Sequence, residues 1–268
     1  MDLLAMIGMF IKGVFPTNIV GQAFLVASIG AVLTVVGAIP ALIGVKFSEV
    51  FIDIGMGFSA GVMLTASFTS LLIPAMEVGG ALPTVLGFVL GVTLMVVMDK
   101  FLPHEHLIKG YEGPPAWRRR LRVAWLMAFA IIIHNIPEGA AVGATVAEDL
   151  RDGIILAIAI GIQNIPEGFA VALPLITMQK RPGLGLGLAT FSGVVEPLAA
   201  ALAATIVMFS RQSLPYALSL AAGAMVYIVS HEIIPETHRY GHELHSTIGL
   251  VIGLLLMFIL DQGLTIDP

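Results

Sequence analysis

Eight stretches of this chain are long and apolar enough to cross a bilayer, and nothing else in the sequence limits the fold so strongly. A spanning helix needs about 20 mainly apolar residues. The stretches run over roughly 19–45, 51–74, 82–102, 123–146, 153–178, 184–209, 214–237 and 246–264. Turn or charge signals separate them at Lys46–Glu49, Gly79–Gly80, Pro103 to Arg120, Glu148–Asp152, Gln179–Gly183, Arg211–Pro215 and His238–His245. Composition agrees: 57% of the residues are hydrophobic and 12% are charged, against about 45–50% and about 25% in soluble domains. That little charge cannot cover a soluble surface of this size, so lipid contacts most of the outside. The expectation is an all-α membrane protein forming one polytopic domain over 1–268, with one sizeable loop at about 103–120. Leu3 to Phe15 is apolar but short, follows Asp2 rather than a basic residue, and has no small-residue cleavage site. It reads as an interfacial lead-in.

Lys and Arg fix an expected orientation. Lys46, Lys100, Lys109, Arg118, Arg119, Arg120, Arg122, Lys180, Arg181 and Arg239 fall on one side, and only Lys12, Arg151 and Arg211 fall with the termini. The positive-inside rule then puts the termini outside the cytoplasm and the 103–120 loop within it.

Spans four and five carry an internal repeat, His134-Asn135-Ile136-Pro137-Glu138-Gly139 and Gln163-Asn164-Ile165-Pro166-Glu167-Gly168, identical at five of six positions. Matching Pro-interrupted segments in two helices point to a midplane binding site in transporters. On a helix His134 and Glu138 share a face, and Asn135 converges with Glu138. Pro137 donates no backbone hydrogen bond and loosens the carbonyl near Ile133. A carboxylate at membrane depth costs about 3 kcal/mol even on lenient scales. Two of them, flanked by imidazole and amides, repel unless protonated or neutralised by a cation. Packing and cross-helix hydrogen bonds explain one such hexad as well as a metal does; two copies, each with a Glu, favour the metal. Glu196, mid-span beside Pro197, adds a third carboxylate to balance a dication. The chain has no cysteine, so carboxylate, imidazole, amide and thioether are the available donors, suited to zinc, manganese or iron(II). Met63 alone reads as packing.

Elsewhere, His231-Glu232-Ile233-Ile234-Pro235 lacks the second His of an HExxH protease. His231, Glu232 and Glu236 read as a polar exit path. His238, His242 and His245, spaced four and three apart, are expected on one helical face. His104-Glu105-His106 is a weaker signal.

These residues resemble the ZIP (Zrt/Irt-like) family of divalent metal transporters in its GufA-type bacterial branch. The likeness covers nearly the whole chain, through the helix-two segment 57–74, 103–106, both hexads, 194–197 and 230–238. It implies eight helices in a 3+2+3 inverted repeat and a binuclear metal centre in helices four and five. By resemblance, one metal takes Met63, His134, Glu138, Gln163 and Glu167. The second takes Asn135, Glu138, Asn164, Glu167 and Glu196, although close relatives carry Asp where this chain has Asn164. The implied cargo is Zn2+, with Cd2+, Fe2+ or Mn2+ as further substrates, moved through the bacterial inner membrane into the cytoplasm by a chain that can form a homodimer. No covalent chemistry and no nucleic-acid partner are expected. An intramembrane zinc metalloenzyme or a metal sensor is the competing reading; the enzyme would need an open coordination position, a general base and a substrate cleft.

Overall fold

Every expected span becomes a helix in the structure, a computed structural model that describes residues 3–45, 47–101, 115–179, 181–238 and 241–263. The lead-in is α1 (Leu3–Val14). Eight longer helices follow: α2 (Ile19–Leu42), α3 (Glu49–Gly79), α4 (Ala81–Phe101), α5 (Pro115–Glu148), α6 (Leu150–Gln179), α7 (Pro182–Phe209), α8 (Arg211–Thr237) and α9 (Glu243–Gly263). No strand occurs among the described residues. Among the described residues, α2, α3, α4, α6, α7, α8 and α9 are long and apolar enough to cross a membrane. The protein is a multi-pass membrane protein. Large apolar side chains such as Leu82, Leu202, Phe209 and Ile259 stand exposed on its outside, where lipid would meet them.

Local chemistry sets the helix ends. The side chains of Asn18 and Ser48 accept backbone hydrogens from Gly21 and Phe51, capping α2 and α3. Only Asp149 separates α5 from α6, and its side chain accepts from the Asp152 N–H at 3.0 Å. Two helices widen into a π turn just before or at a proline: α3 over Ser67–Leu72 ahead of Pro74, and α8 over Val229–Ile233 ahead of Pro235. A proline ring clashes with the carbonyl four residues earlier, and the wider turn gives that carbonyl room.

The helices form two groups of four. In one, α2 packs on α6 and α7, and α5 packs on α6 and α7; in the other, α3 packs on α9 and α4 packs on α8. The groups meet mainly where α5 touches α8 and α3 touches α6. Glycines let backbones come together: a Cβ at Gly61 would lie 2.0 Å from the Leu250 carbonyl, and one at Gly253 2.1 Å from that of Phe58. Small residues at helix contacts serve membrane packing, where burial from water drives nothing.

Two expectations change. Helix α5 begins at Pro115 rather than near 123. Proline is favoured in a first helical turn because its missing N–H has no partner to lose there, and the Arg-rich stretch that follows has good helix propensity. The histidines at 238, 242 and 245 do not share one helical face. His238 ends α8, Gly241 takes φ +82°, and α9 starts at Glu243. That left-handed glycine turns the chain between His238 and His242. His104-Glu105-His106, Lys46, Lys109, Lys180 and Arg239 lie outside the described residues.

Candidate metal centre

Both hexads sit inside unbroken helices, so their prolines loosen a turn without ending it. The closing glycine of each hexad is a packing contact. A Cβ at Gly139 would lie 2.2 Å from the Glu196 carbonyl, and one at Gly168 2.0 Å from the Thr34 carbonyl. The repeat thus brings α5 against α7 and α6 against α2, and turns the polar residues of both hexads toward each other.

His134, Asn135, Glu138, Gln163, Asn164, Glu167 and Glu196 are all buried, as is Met63. The Gln163 amide donates to Glu138 Oε1 at 2.6 Å. The Asn164 amide donates to Glu196 Oε1. Asn135 donates to the Ser192 carbonyl at 2.7 Å and its hydroxyl at 2.9 Å. His134 Nε2 lies 3.0 Å from Glu232 Oε2. Ser59, beside Glu167, gives its hydrogen to the Gln163 carbonyl at 2.9 Å, in the turn loosened by Pro166. Met63 lies one turn beyond Ser59 on the same face of α3, and its backbone carbonyl accepts from the Ser67 hydroxyl at 2.7 Å.

What these bonds leave over decides the chemistry. Eight buried side-chain atoms among the described residues have no hydrogen-bond partner, and seven belong to the hexads: His134 Nδ1, Asn135 Oδ1, Glu138 Oε2, Gln163 Oε1, Asn164 Oδ1 and both carboxylate oxygens of Glu167. Stranding a buried polar atom costs about 1–3 kcal/mol, more if it is charged. The oxygens are acceptors, so a cation answers all of them together. No three His, Asp or Glu side chains among the described residues are gathered tightly enough to cage an ion alone. Amides stand beside the acids instead, Gln163 on Glu138 and Asn164 on Glu196.

Residues 102–261 match the family model described as ZIP Zinc transporter. The chain belongs to the ZIP family. Of its ZIP relatives, "Zinc transporter ZIPB" of Bordetella bronchiseptica is 43% identical over 258 residues, covering 91% of this chain and 82% of that protein. "Zinc transporter GufA" of Myxococcus xanthus is 35% identical over 254 residues, covering 91% and 99%, in keeping with the GufA-type branch. "Zinc transporter ZIP11" of Bos taurus is 32% identical over 324 residues, covering 87% and 94%.

Sequence reasoning missed several partners within this ZIP chain. Glu232 appeared only as part of an exit path, yet it holds His134 from the π turn of α8. Ser192 and Ser59 carried no signal beyond their place in small-residue segments. Asp53, also unflagged, lies 2.7 Å from His242 Nδ1 and joins α3 to the start of α9. His231 stacks on Tyr227.

Proposed function

We propose that this ZIP chain carries zinc, and the similar ions cadmium, iron(II) and manganese, across the bacterial inner membrane into the cytoplasm. The single observation that carries this reading is the set of unpartnered acceptors in the two hexads. The ion would be held by His134 through Nδ1, Glu138, Gln163 through its amide oxygen, and Glu167, with Met63 alongside. Gln163 can keep its amide hydrogen on Glu138 Oε1 and still offer its oxygen to the ion. Neutral amide donors weaken the hold and favour release. The relatives named as zinc transporters support zinc as the cargo. Moving an ion needs no bond made or broken, and the relatives' names favour a transporter over an enzyme.

The arrangement is read as 3+2+3 in one domain, with α5 and α6 between two related triplets. Exchanged packing partners support it: α2 lies on α6 as α7 lies on α5, and α3 lies on α9 as α8 lies on α4. A cavity of about 230 Å³ lined by Glu77, Glu148, Asp149, Asp152 and Asp261 opens at one end, and Asp53 and His242 lie at the opposite ends of α3 and α9. Acidic walls concentrate cations. With the termini outside the cytoplasm, as the basic residues suggest, the acidic cavity receives the ion and the His242 end releases it. Uptake into proteoliposomes, with zinc, cadmium, manganese and iron(II) compared side by side, is the test. Saturable zinc uptake is expected; the absence of uptake for all four ions would sink the reading.

A further inference from the structure

We propose that the hexad site of this chain holds one divalent ion rather than two, because Asn164 has taken the place of a second ion at Glu196. The proposal rests on the transport reading above and names the stoichiometry of that site.

The unpartnered atoms are unevenly placed. Around Glu138 and Glu167 they comprise three carboxylate oxygens, an imidazole nitrogen and the Gln163 amide oxygen. Beside Glu196 they are only the amide oxygens of Asn135 and Asn164. Glu196 itself is engaged on both sides. Its Oε1 accepts the Asn164 amide hydrogen. Its Oε2 faces the backbone of α2 so closely that a Cβ on Gly30 would lie 1.9 Å away. Thr34, one turn on, donates to the Gly30 carbonyl and holds that backbone in place.

Charge points the same way. One dication is balanced by Glu138 and Glu167 when Glu196, held by Asn164, keeps a proton. Two dications carry four positive charges against the three carboxylates of Glu138, Glu167 and Glu196, and the surplus would be buried within the bundle, where uncompensated charge is costly. With Asp at 164 there would be four carboxylates for two ions, and the account would close again. Asn164 is thus the residue that sets the count.

The test is metal counting on the purified full-length protein in detergent, equilibrated with zinc and measured by mass spectrometry against protein amount. Each variant is read as a difference from Glu138→Gln/Glu167→Gln, which cancels ions held by peripheral histidines. Wild type should exceed that baseline by one ion, Glu196→Gln should leave the difference at one, and Asn164→Asp should raise it to two. A wild-type difference of two that falls to one in Glu196→Gln would overturn the proposal while leaving the transport site intact. An Asn164→Asp count that stays at one would also overturn it. If Asn164→Asp does not elute as a folded species, the wild-type and Glu196→Gln counts decide. No difference between wild type and the baseline would instead overturn the central site itself.

Discussion

The hexads of α5 and α6 share five of six residues, yet their polar atoms take different partners. In α5, His134 reaches out to Glu232 of α8 and Asn135 gives both its hydrogens to Ser192 of α7. In α6, Gln163 and Asn164 give their hydrogens to the acids Glu138 and Glu196. One hexad is tethered to its neighbours, and the other caps carboxylates. Asn135 and Asn164 are the same residue at the same repeat position, so the difference comes from what α7 places opposite: a serine in one case and a glutamate in the other. A repeated motif fixes where donors stand, while the facing helix decides what each one does.

The two glutamates are where the hexads are most alike, and there the largest effect is expected. Glu138→Gln and Glu167→Gln should each lower zinc uptake at least about tenfold, about 1.4 kcal/mol in binding terms, in protein that still folds. Uptake measured at matched expression checks this. Wild-type uptake by either variant would mean that the glutamates do not act as a pair.

The likeness of the hexads, their burial and their shared face were legible in the sequence, because helical period and the cost of a buried carboxylate speak directly through residue spacing. The spans were legible for the same reason. Their partners were not. Glu232 lies 98 positions from His134 and meets it from the π turn of α8 ahead of Pro235; no local pattern encodes that meeting. The broken histidine face was missed because one glycine at positive φ outweighs a regular spacing. The early start of α5 was missed because Pro and Arg read as loop residues when the helix that they open is not in view.

Glu232 offers the next largest effect, and it should fall on the α5 hexad alone. A carboxylate that holds the far nitrogen of a ligand histidine orients the ring, and losing such a partner costs about 10- to 100-fold in metal affinity. Glu232→Ala should weaken zinc binding by that much. Glu232→Gln should recover part of it, since its amide oxygen can still accept from Nε2. Zinc titration of the purified variants checks both. Equal loss in the two variants would show that the charge of Glu232, and not its hold on His134, matters.

Acid should separate the hexads further. Metal ligands must shed protons before they bind, so protons compete with zinc. An imidazole nitrogen must be free of a proton to bind the ion, whereas a Gln amide oxygen has no such competitor. Uptake should therefore fall on acidification from about pH 8 to about pH 5, because added protons occupy the acceptors that the ion needs. In His134→Gln, which makes the hexads identical, the profile should be flatter over that interval, whatever its height. A wild-type profile already flat from about pH 5 to about pH 8 would contradict the competition.

The smallest expected effect tests the serine that sets Asn135 apart from Asn164. Ser192→Ala removes the hydroxyl acceptor at 2.9 Å but keeps the Ser192 carbonyl at 2.7 Å. A single net hydrogen bond is worth about 1 kcal/mol, and here one of two acceptors for the same amide survives. Zinc affinity should therefore drop by no more than about fivefold, with thermal stability nearly unchanged. The carbonyl alone keeps Asn135 pointed at α7, so its Oδ1 stays where it is. Titration of Ser192→Ala with zinc, set beside Asn164→Ala, separates the two asparagines. The Asn164 change uncovers Glu196 Oε1, a buried carboxylate oxygen, whereas the Ser192 change uncovers only one hydrogen of a neutral amide. If Ser192→Ala were the more damaging of the two, Asn135 would be the more critical donor, and the division of labour drawn between the hexads would have to be reversed.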